Sequence, residues 1–563
     1  MRFFKKHNKG QALVLAYVVL IFLTVLIAAF LHRAVTENRL SQRQRWTQEV
    51  IYLAEGGIED AVSQFAQDIA NFAVAADIPI WPAQPDPVPV PPIPHTTTYT
   101  SFNNATVDSL ITRMEAVDRI ENIESGAVAY TRNYEVVATA QHPSEPSIAV
   151  TLHQVVGRRL IPAFQHAVFY DRDLEILPGP DMDFAGRIHS NEDIYIGTNN
   201  TLTVDSMYLR SAGEIFNERK NDGSSMPGTV DIRVTAPEGD PPTYQAMDGL
   251  DSNSPTWTAE SQTRWQGTVM SAVHGVTRLS VPQVQSIQPG GFYASQANVV
   301  ITNDTISQGG TDLVAGVDVP ADTVTSHTDF YNNRENRNIK MTNLDLQKLA
   351  GYATPAEYAA GTPSFPNHLP NNGLLYATRD DAGGGFQPGV RLINGVEIVQ
   401  NPVADRDGLT VVSNDPVYIQ GDYNTEAKKP AAVIGDALNI LSSAWDNDSD
   451  SNLHVNDRDA AITTINTAFV AGIDDTSGGN YNGGLENYPR MHERWTGMDL
   501  NIRGAFLALW NSQVATGEWQ YGNPQYTAPI RNWDYDLDFN DPAHLPPFTP
   551  WAVEMNRVAW WQQ

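Results

Sequence analysis

The sequence contains no cysteine among its 563 residues. This absence excludes a disulfide framework, a thiolate zinc or iron–sulfur site and a cysteine nucleophile. Stability must therefore come from packing and hydrogen bonds. At this length, 41% hydrophobic residues are enough to build a substantial core, so the chain does not have the composition of a disordered tail.

Basic residues are also scarce. The chain has 36 Lys and Arg against 65 Asp and Glu, which gives a formal net charge of −29. Nucleic-acid binding depends on Lys and Arg that neutralise phosphates, so we expect no nucleic-acid partner. Charged residues of all kinds reach only 18%, whereas Gly and Pro are plentiful, a balance that favours turn-rich β structure. A mainly β ectodomain is therefore predicted.

One long hydrophobic run stands near the N-terminus. From Ala12 to Leu31 the chain has 20 residues without a charge, enough for one helix to cross a hydrocarbon layer of ~30 Å. Four basic residues precede the run, so the positive-inside rule leaves the N-terminus in the cytoplasm and the bulk of the chain on the far side. A secretory signal peptide would have a shorter apolar core of about 7 to 15 residues. Hydropathy alone leaves a simple membrane anchor open as an alternative.

The helical pattern continues beyond the apolar run. Val35 to Phe72 contains no Pro and places apolar residues among polar ones. One helix over residues 11–72 is predicted, with a weak point at Gly56-Gly57.

The first 72 residues resemble the opening of type IV pilins and pseudopilins, and specifically of PilX-type minor pilins. The matching features are the basic leader ending in Lys9-Gly10, the abrupt apolar start Gln11-Ala12-Leu13-Val14-Leu15 and the later stretch Ala54-Glu55-Gly56-Gly57-Ile58-Glu59-Asp60-Ala61. In that family a prepilin peptidase cuts after the glycine on the cytoplasmic face. The apolar helix then leaves the membrane and packs in the core of a helical fibre.

The resemblance implies that residues 1–10 are a leader and that cleavage falls between Gly10 and Gln11. It implies other pilin or minor pilin subunits and a prepilin peptidase as partners. It also implies residence in the inner membrane before assembly, and then in an extracellular filament at the cell surface. The helix residues expected in the filament core are Leu13, Leu15, Val18 and Phe22.

Leu15 departs from the family pattern. Major pilins carry a Glu at this fifth position of the mature chain, where it neutralises the amino terminus of a neighbouring subunit. A buried charge without a partner is costly, so a subunit with Leu15 fits poorly in the repeated body of a fibre and better at its tip. Gln11 replaces the usual Phe or Met, which leaves its methylation open.

After the helix, the chain divides by composition into a linker and a connector. Residues 73–100 form a Pro-rich linker, in which the density of prolines enforces a semi-rigid polyproline II spacer. Residues 101–165 are predicted as a small α+β connector. It contains a short helix from Val107 to Ile120 and two paired strands, Ala127 to Ala140 and Ile148 to Val156, around a turn at His142.

The remaining chain is predicted to be a β-rich domain in two parts, 166–213 and 408–563, separated by an insertion at 214–407. A weak repeat marks the two parts: Ser190-Asn191-Glu192-Asp193-Ile194-Tyr195-Ile196-Gly197 recurs as Ser413-Asn414-Asp415-Pro416-Val417-Tyr418-Ile419-Gln420-Gly421. Short strands closed by Gly, Asn or Asp at nearly constant spacing favour a β-solenoid or a stacked sandwich. The phrases Gly186-Arg187-Ile188-His189-Ser190-Asn191 and Leu441-Ser442-Ser443-Ala444-Trp445 also resemble the C-terminal domain that accompanies PilX-type N-termini in large bacterial surface proteins.

Two local patterns in the second part carry further predictions. Ala460 to Ala471 is predicted as a helix, and Leu500 to Trp510 as a strand. Strict alternation from Trp533 to Phe539 predicts a strand that buries Trp533, Tyr535, Leu537 and Phe539 on one face and aligns three Asp on the other.

An acidic loop is the one candidate metal site. Calcium prefers six to eight oxygen ligands from alternate positions of a curled segment. Ser451 stands where such a loop needs Gly, and a solvated acidic loop is the alternative interpretation. The cofactor is thus calcium or none, and the candidate ligands are Asp446, Asp448, Asp450 and Asp457.

No sequence motif supports catalysis. Zinc-helix, phosphate-loop and nucleophile-elbow patterns are missing, and the 13 His are scattered. The leading hypothesis is a non-enzymatic minor pilin or pseudopilin-like subunit at a filament tip, acting in assembly initiation, in adhesion to a glycan, host or abiotic surface, or in both. The alternative is a membrane-anchored protein with a polysaccharide-binding or polysaccharide-degrading solenoid. Its candidate carboxylates are Asp171, Asp173, Asp181 and Asp183.

Overall fold

A computed structural model describes residues 9–71, 92–115, 117–123, 126–234, 241–477 and 480–563. One uninterrupted helix of 62 residues, α1 (Lys9–Ala70), opens the described chain. A long N-terminal apolar helix followed by a β-rich domain is thus confirmed. Residues 1–8 of the predicted leader, Phe72 at the end of the predicted helix and residues 73–91 of the predicted linker lie outside the described residues, so the leader and the polyproline spacer stay predictions.

An antiparallel sheet packs against the second half of α1. Its first five strands are β1 (Ile93–Tyr99), β2 (Ala105–Arg113), β3 (Arg119–Asn122), β4 (Val128–His142) and β5 (Glu145–Pro162). The predicted hairpin around His142 is confirmed as β4 and β5, and β1 begins inside the range assigned to the linker.

The predicted helix from Val107 to Ile120 is wrong. Residues 105–113 form strand β2 because buried and exposed side chains alternate with a period of two. Both β2 and β3 run antiparallel to β4, with β2 paired to residues 134–140 of β4 and β3 to residues 128–131.

The β-rich domain begins as a three-sided parallel solenoid. Val168 pairs with Ile188 and Ile188 with Leu209, so each winding takes 20 or 21 residues. Aliphatic side chains point inward and stack from one winding to the next. The strands are β6 (Val168–Tyr170), β7 (Leu174–Ile176), β8 (Met182–Ala185), β9 (Ile188–Ser190), β10 (Ile194–Ile196), β11 (Thr201–Asp205), β12 (Leu209–Ser211), β13 (Ile215–Phe216), β14 (Thr229–Val234), β15 (Thr243–Ala246) and β16 (Val269–Met270), with helix α2 (Trp257–Trp265) beside β16.

A second series of windings follows a crossing segment at 271–298, which contains helix α3 (Phe292–Gln296). These windings also hold the short helices α4 (Leu346–Leu349) and α5 (Pro355–Ala360). The strands are β17 (Val299–Thr302), β18 (Thr305–Gln308), β19 (Thr311–Asp312), β20 (Val324–His327), β21 (Tyr331–Asn332), β22 (Arg337–Asp345), β23 (Leu374–Thr378), β24 (Phe386–Ile393), β25 (Leu409–Ser413), β26 (Val417–Gln420), β27 (Ala431–Gly435), β28 (Leu438–Leu441), β29 (Thr463–Ile473), β30 (Pro489–Met491), β31 (Asp499–Asn511) and β32 (Ile530–Tyr535).

The two series join into one sheet in an unusual order. Along the 13-stranded sheet the order is β16, β12, β9, β6, β31, β29, β27, β25, β23, β17, β18 and β19, with β32 beside β31. The chain therefore starts in the middle, winds to one end, crosses to the opposite end and winds back until β31 pairs with β6. Of the two predicted architectures, the structure shows the β-solenoid and not the stacked sandwich. Strands of the predicted insertion, from β17 to β24, are windings of this same solenoid.

The last strand, β33 (Trp551–Gln562), leaves the solenoid and pairs with β5 at the edge of the antiparallel sheet. Chain entry and chain exit thus lie side by side, since Trp551 pairs with Pro162. Contact with the solenoid is reinforced where Gln67 of α1 donates a 2.9 Å hydrogen bond to the carbonyl of Val281 in the crossing segment.

The strand predicted from Leu500 to Trp510 is confirmed as β31, but the helix predicted from Ala460 to Ala471 is wrong. That segment is mostly strand β29, whose neighbours β27 and β31 supply parallel pairing partners along its length. Tertiary pairing overrides the local helical tendency of its alanines.

Candidate functional site

The first half of α1 is an unpacked apolar surface. Leu13, Leu15, Val18 and Phe22, the four residues predicted for a filament core, are 65%, 68%, 59% and 64% exposed. Every other large apolar residue from Leu13 to Leu31 except Leu26 is also at least half exposed. By length and composition, α1 is the one helix among the described residues that qualifies as a membrane span. We call residues 11–31 the apolar half-helix.

The second half of α1 is packed. Val50, Ala54, Ile58, Phe65 and Ile69 recur at helical spacing and are buried against the sheet.

Gly56-Gly57 is a contact point of this packed half, where the sequence suggested a weak point. A Cβ atom added to Gly57 would lie 2.9 Å from the Cβ of Val107 in β2, and one added to Gly56 would lie 2.5 Å from the Tyr99 hydroxyl. The two glycines let the helix lie directly on the sheet.

Ionic contacts fix the same face. Asp60 accepts hydrogen bonds from His95 at 2.8 Å and Thr97 at 2.7 Å, and these bonds hold the pKa of the Asp60 carboxyl below its usual range. Glu59 pairs with Arg557 of β33 at 2.5 Å. One half of α1 is thus anchored and the other projects.

The predicted cleavage site lies at the exposed start of this projecting half. Gly10 and Gln11 are exposed in the first turns of α1, and apart from the helix's own backbone no described atom lies within 4 Å of where a Gly10 Cβ would be. Nothing in the described residues tests whether a peptidase cuts there.

The acidic loop does not assemble a cation site within the described residues. No group of three His, Cys, Asp or Glu that could hold a metal ion occurs there. Asp448 instead accepts two hydrogen bonds from Arg391, at 2.7 and 3.0 Å, and one from the Trp445 indole at 2.7 Å. Although burial opposes ionisation, Arg391 lowers the pKa of Asp448. Calcium binding by Asp446, Asp448, Asp450 and Asp457 stays a prediction without support from this geometry.

The other candidate carboxylates serve the turns of the solenoid. Asp173 accepts a hydrogen bond from the Asp193 backbone N–H at 2.9 Å, and Asp181 accepts one from the Thr201 N–H at 2.9 Å. Each bond links one winding to the next.

Asp171 accepts a bond of 2.7 Å from the Asn191 amide in the same way, and the exposed Asp183 lies in β8. The Ser190 hydroxyl also links one winding to the next, since it donates a 2.7 Å hydrogen bond to the Arg172 carbonyl. Asp171 and Asp173 share the turn between β6 and β7, Asp181 lies in the next turn and Asp183 in β8, and within the described residues they form no group of three that could hold a metal ion.

The C-terminal aromatic stretch follows the prediction only in part. Trp533, Tyr535 and Phe539 are buried, but Leu537 is 72% exposed. The strand ends at Tyr535 and continues as a short 3₁₀ turn over Leu537–Asn540, which breaks the alternation. Two of the three Asp that were expected to align, Asp536 and Asp538, bind Lys428, each at 2.7 Å.

A cavity of about 350 Å³ lies between the antiparallel sheet and the first windings. Arg187 and His189, from the stretch Gly186 to Asn191, are among the residues that line it. The Arg187 guanidinium lies 3.9 Å and that of Arg210 4.6 Å from the centre of the Tyr208 ring. His189 stacks on Phe169, and burial lowers its pKa to about 4. The side of the cavity that these residues form is therefore packed by cation–π and ring contacts.

An aromatic group that sequence reasoning missed lies on two loops that follow β29 and β31. It consists of Tyr481, Trp519, Tyr521 and Tyr526, and we call it the aromatic shelf. The signal in the sequence is the alternation Glu518-Trp519-Gln520-Tyr521 between glycines, in a segment without Lys or Arg.

Comparisons with known proteins give little help. No family model and no curated protein matches the chain. Among solved structures, a match is the competence-associated pilin ComZ from Thermus thermophilus, at 9% identity, covering 92% of this chain and 97% of that chain, with a TM-score of 0.24. A TM-score this low means that the two chains do not superimpose as one fold, so the likeness carries no inference here.

Proposed function

We propose that this chain is a pilin-like subunit of a type IV pilus-like filament. The apolar half-helix spans the inner membrane, N-terminus inward, before assembly and afterwards packs against other pilin subunits. The observation that carries the proposal is the division of α1 into a projecting apolar half and a half anchored on a sheet. The resemblance of residues 1–72 to PilX-type minor pilins points the same way.

The exposed half-helix needs a cover. Burying one large aliphatic or aromatic side chain is worth roughly 1.5–3 kcal/mol. The apolar half-helix therefore leaves on the order of 20 kcal/mol unrealised in water. A bilayer and the core of a helical fibre both supply an apolar cover, which is why one segment serves both stages.

Within this proposal the chain is a low-copy subunit near the tip. Leu15 offers no carboxylate to a neighbour's amino terminus, and a buried amine without a partner costs several kcal/mol. That cost would recur at every subunit of a shaft. At the tip the solenoid is presented for assembly initiation, adhesion or both, and the proposal includes no catalytic step because Asp171, Asp173 and Asp181 are engaged in winding turns.

Mass spectrometry of the native N-terminus tests the processing step. We expect a chain that starts at Gln11, and retention of the leader in cells that lack the prepilin peptidase. A mature chain that begins at Met1, or one cut near Ala34, would refute processing of the pilin kind.

Incorporation is tested with a matched pair of substitutions. Phe22→Asp places a charge in the apolar half-helix and is expected to abolish recovery of the chain with sheared filaments. Tyr52→Asp changes a side chain of similar exposure, 67%, on the anchored half and is expected to leave recovery in place. Equal recovery of both variants contradicts packing through the apolar half-helix.

A further inference from the structure

The aromatic shelf lies where the solenoid windings place two loops together. Strands β29 and β31 are parallel neighbours, so the loops that follow them leave the same edge of the sheet. Residues 476–488 contribute Tyr481, and residues 512–526 contribute Trp519, Tyr521 and Tyr526. The shelf is therefore built on two adjacent windings and not on one isolated loop.

Ring contacts hold the shelf in one arrangement. Trp519 lies 5.2 Å from Tyr481, edge to face at 73°, and 6.5 Å from Tyr521 with the two rings nearly parallel at 26°. The Trp519 indole N–H donates a 3.0 Å hydrogen bond to the Tyr526 hydroxyl. Gly483 closes the back, since a Cβ there would lie 2.6 Å from Trp519 Cδ1. Aromatic rings fixed in advance lose little entropy on binding.

The shelf is open to solvent on one side. Tyr521 is 56% exposed and Trp519 is half-buried beside it. Exposed amide and carboxylate groups flank the rings: the Asn480 amide donates to the Glu518 carboxylate at 2.8 Å, and the exposed Gln520 amide oxygen accepts from Gln525 at 2.5 Å. Planar polar side chains beside an aromatic face match the hydroxyl groups and the apolar C–H face of a sugar ring.

The absence of basic residues from the two loops limits the class of ligand that the aromatic shelf can bind. Neither 476–488 nor 512–526 contains a Lys or Arg, and the whole chain carries a formal charge of −29. A phosphate, sulfate or uronate needs charge-assisted donors. Arg334 and Arg490 from neighbouring windings line a cavity with Trp519 and Tyr526, but each guanidinium is already paired, Arg334 with Asp474 and Arg490 with Glu335, both at 2.6 Å. The exposed aromatic area is also small, whereas a stable protein partner buries about 800 Å² on each side.

We infer that the aromatic shelf binds a neutral polysaccharide, with the Tyr521 and Trp519 rings stacked on successive sugars. This deepens the adhesive part of the proposed function. It does not need the filament, because the shelf belongs to the solenoid and is separate from the apolar half-helix. Failure of N-terminal processing would therefore leave this inference standing, and loss of glycan binding would leave the pilin-like proposal standing.

The test measures depletion of the detergent-solubilised full chain by insoluble cellulose, chitin, xylan and starch, with alginate as the anionic comparison. We expect retention on at least one neutral polymer and none on alginate. Tyr521→Ala should weaken retention by about tenfold or more, as removal of a central aromatic contact does. Tyr521→Phe should retain binding, since the ring face remains.

Trp560→Ala is the matched control, because Trp560 is 65% exposed on β33, outside the shelf. It should bind like the unmodified chain. Because Tyr521 is exposed, Tyr521→Ala should unfold at an unchanged temperature, which separates lost binding from lost folding. No retention on any neutral polymer, preference for alginate, or equal loss in the Tyr521→Ala and Trp560→Ala variants would overturn the inference.

Discussion

Replacing Gly57 by alanine sets two effects of one methyl group against each other. Helix propensity alone favours alanine over glycine by about 1 kcal/mol. The added methyl would however lie 2.9 Å from the Cβ of Val107 and closer still to its Cγ1. Val107 is fully buried, and its branched side chain has a restricted χ1 angle and no space to turn into. Overpacking costs about 1 to 3 kcal/mol, so we expect a net loss of about 1 kcal/mol.

The assay is hydrogen exchange of residues 46–70 in the full chain, which reports the local opening free energy of the anchored half of α1. Gly56→Ala is the control, because its methyl would meet only the hydroxyl end of the Tyr99 side chain, which can swing away. It should leave protection equal or raise it. Adding Val107→Ala to Gly57→Ala should cost less than Val107→Ala alone, since each change relieves the other. If Gly57→Ala raises protection as Gly56→Ala does, the direct helix-on-sheet contact is refuted.

Three further predictions concern the ion pair, a buried acid and the copy number. Asp448→Asn leaves the Arg391 guanidinium buried without its counter-charge and should lower the free energy of unfolding by about 3 kcal/mol, measured by urea unfolding at pH 7. Asp450→Asn in the same loop should change it little. Because the Asp448 pKa is lowered, the difference between wild type and Asp448→Asn is present above pH ~4 and is lost as the pH falls further. Burial raises the pKa of Glu493 to about 7, so between pH 4.5 and 7 the folded state holds a proton that the unfolded state has released. Stability relative to a Glu493→Gln variant should therefore fall by about 3 kcal/mol as the pH rises from 4.5 to 7, and a constant difference across this range would contradict the buried neutral carboxyl. Immunogold labelling of intact filaments should mark one end only, and label along the shaft would show that Leu15 is tolerated in the repeated body.

The parts of the fold that the sequence predicts are those with local causes. The uncharged run and the absence of Pro up to Phe72 predict α1, and the β-branched runs from Leu409 to Leu441 predict strands that the structure contains. Ala460 to Ala471 fails because its state depends on β27 and β31, which are distant in sequence. The winding order could not be predicted, since no local pattern shows that β31 pairs with β6 across more than 300 residues.

The candidate sites show the same division. Exposure of Leu13 and Phe22 follows from an apolar helix that extends past its sheet, and was predictable. The acidic loop was ambiguous because carboxylate spacing does not reveal that Arg391, 57 residues earlier, takes the oxygens of Asp448. The aromatic shelf could not be predicted, because only the pairing of β29 with β31 shows that Tyr481 and Trp519 are neighbours.

The winding order also determines how force would pass through the molecule. The chain enters the solenoid after Pro162 and leaves it before Trp551, and these two residues are paired neighbours. A pull on the solenoid therefore loads β5 and β33 along their lengths. Because β5 and β33 are pulled from the same end, the load falls on the bonds between β4 and β5, which must shear together along the length of the hairpin. The packed half of α1 covers this same sheet, with Gly57 against Val107 and Asp60 against His95. The proposed role, an adhesive subunit at a filament tip, would need such a connection between α1 and the solenoid.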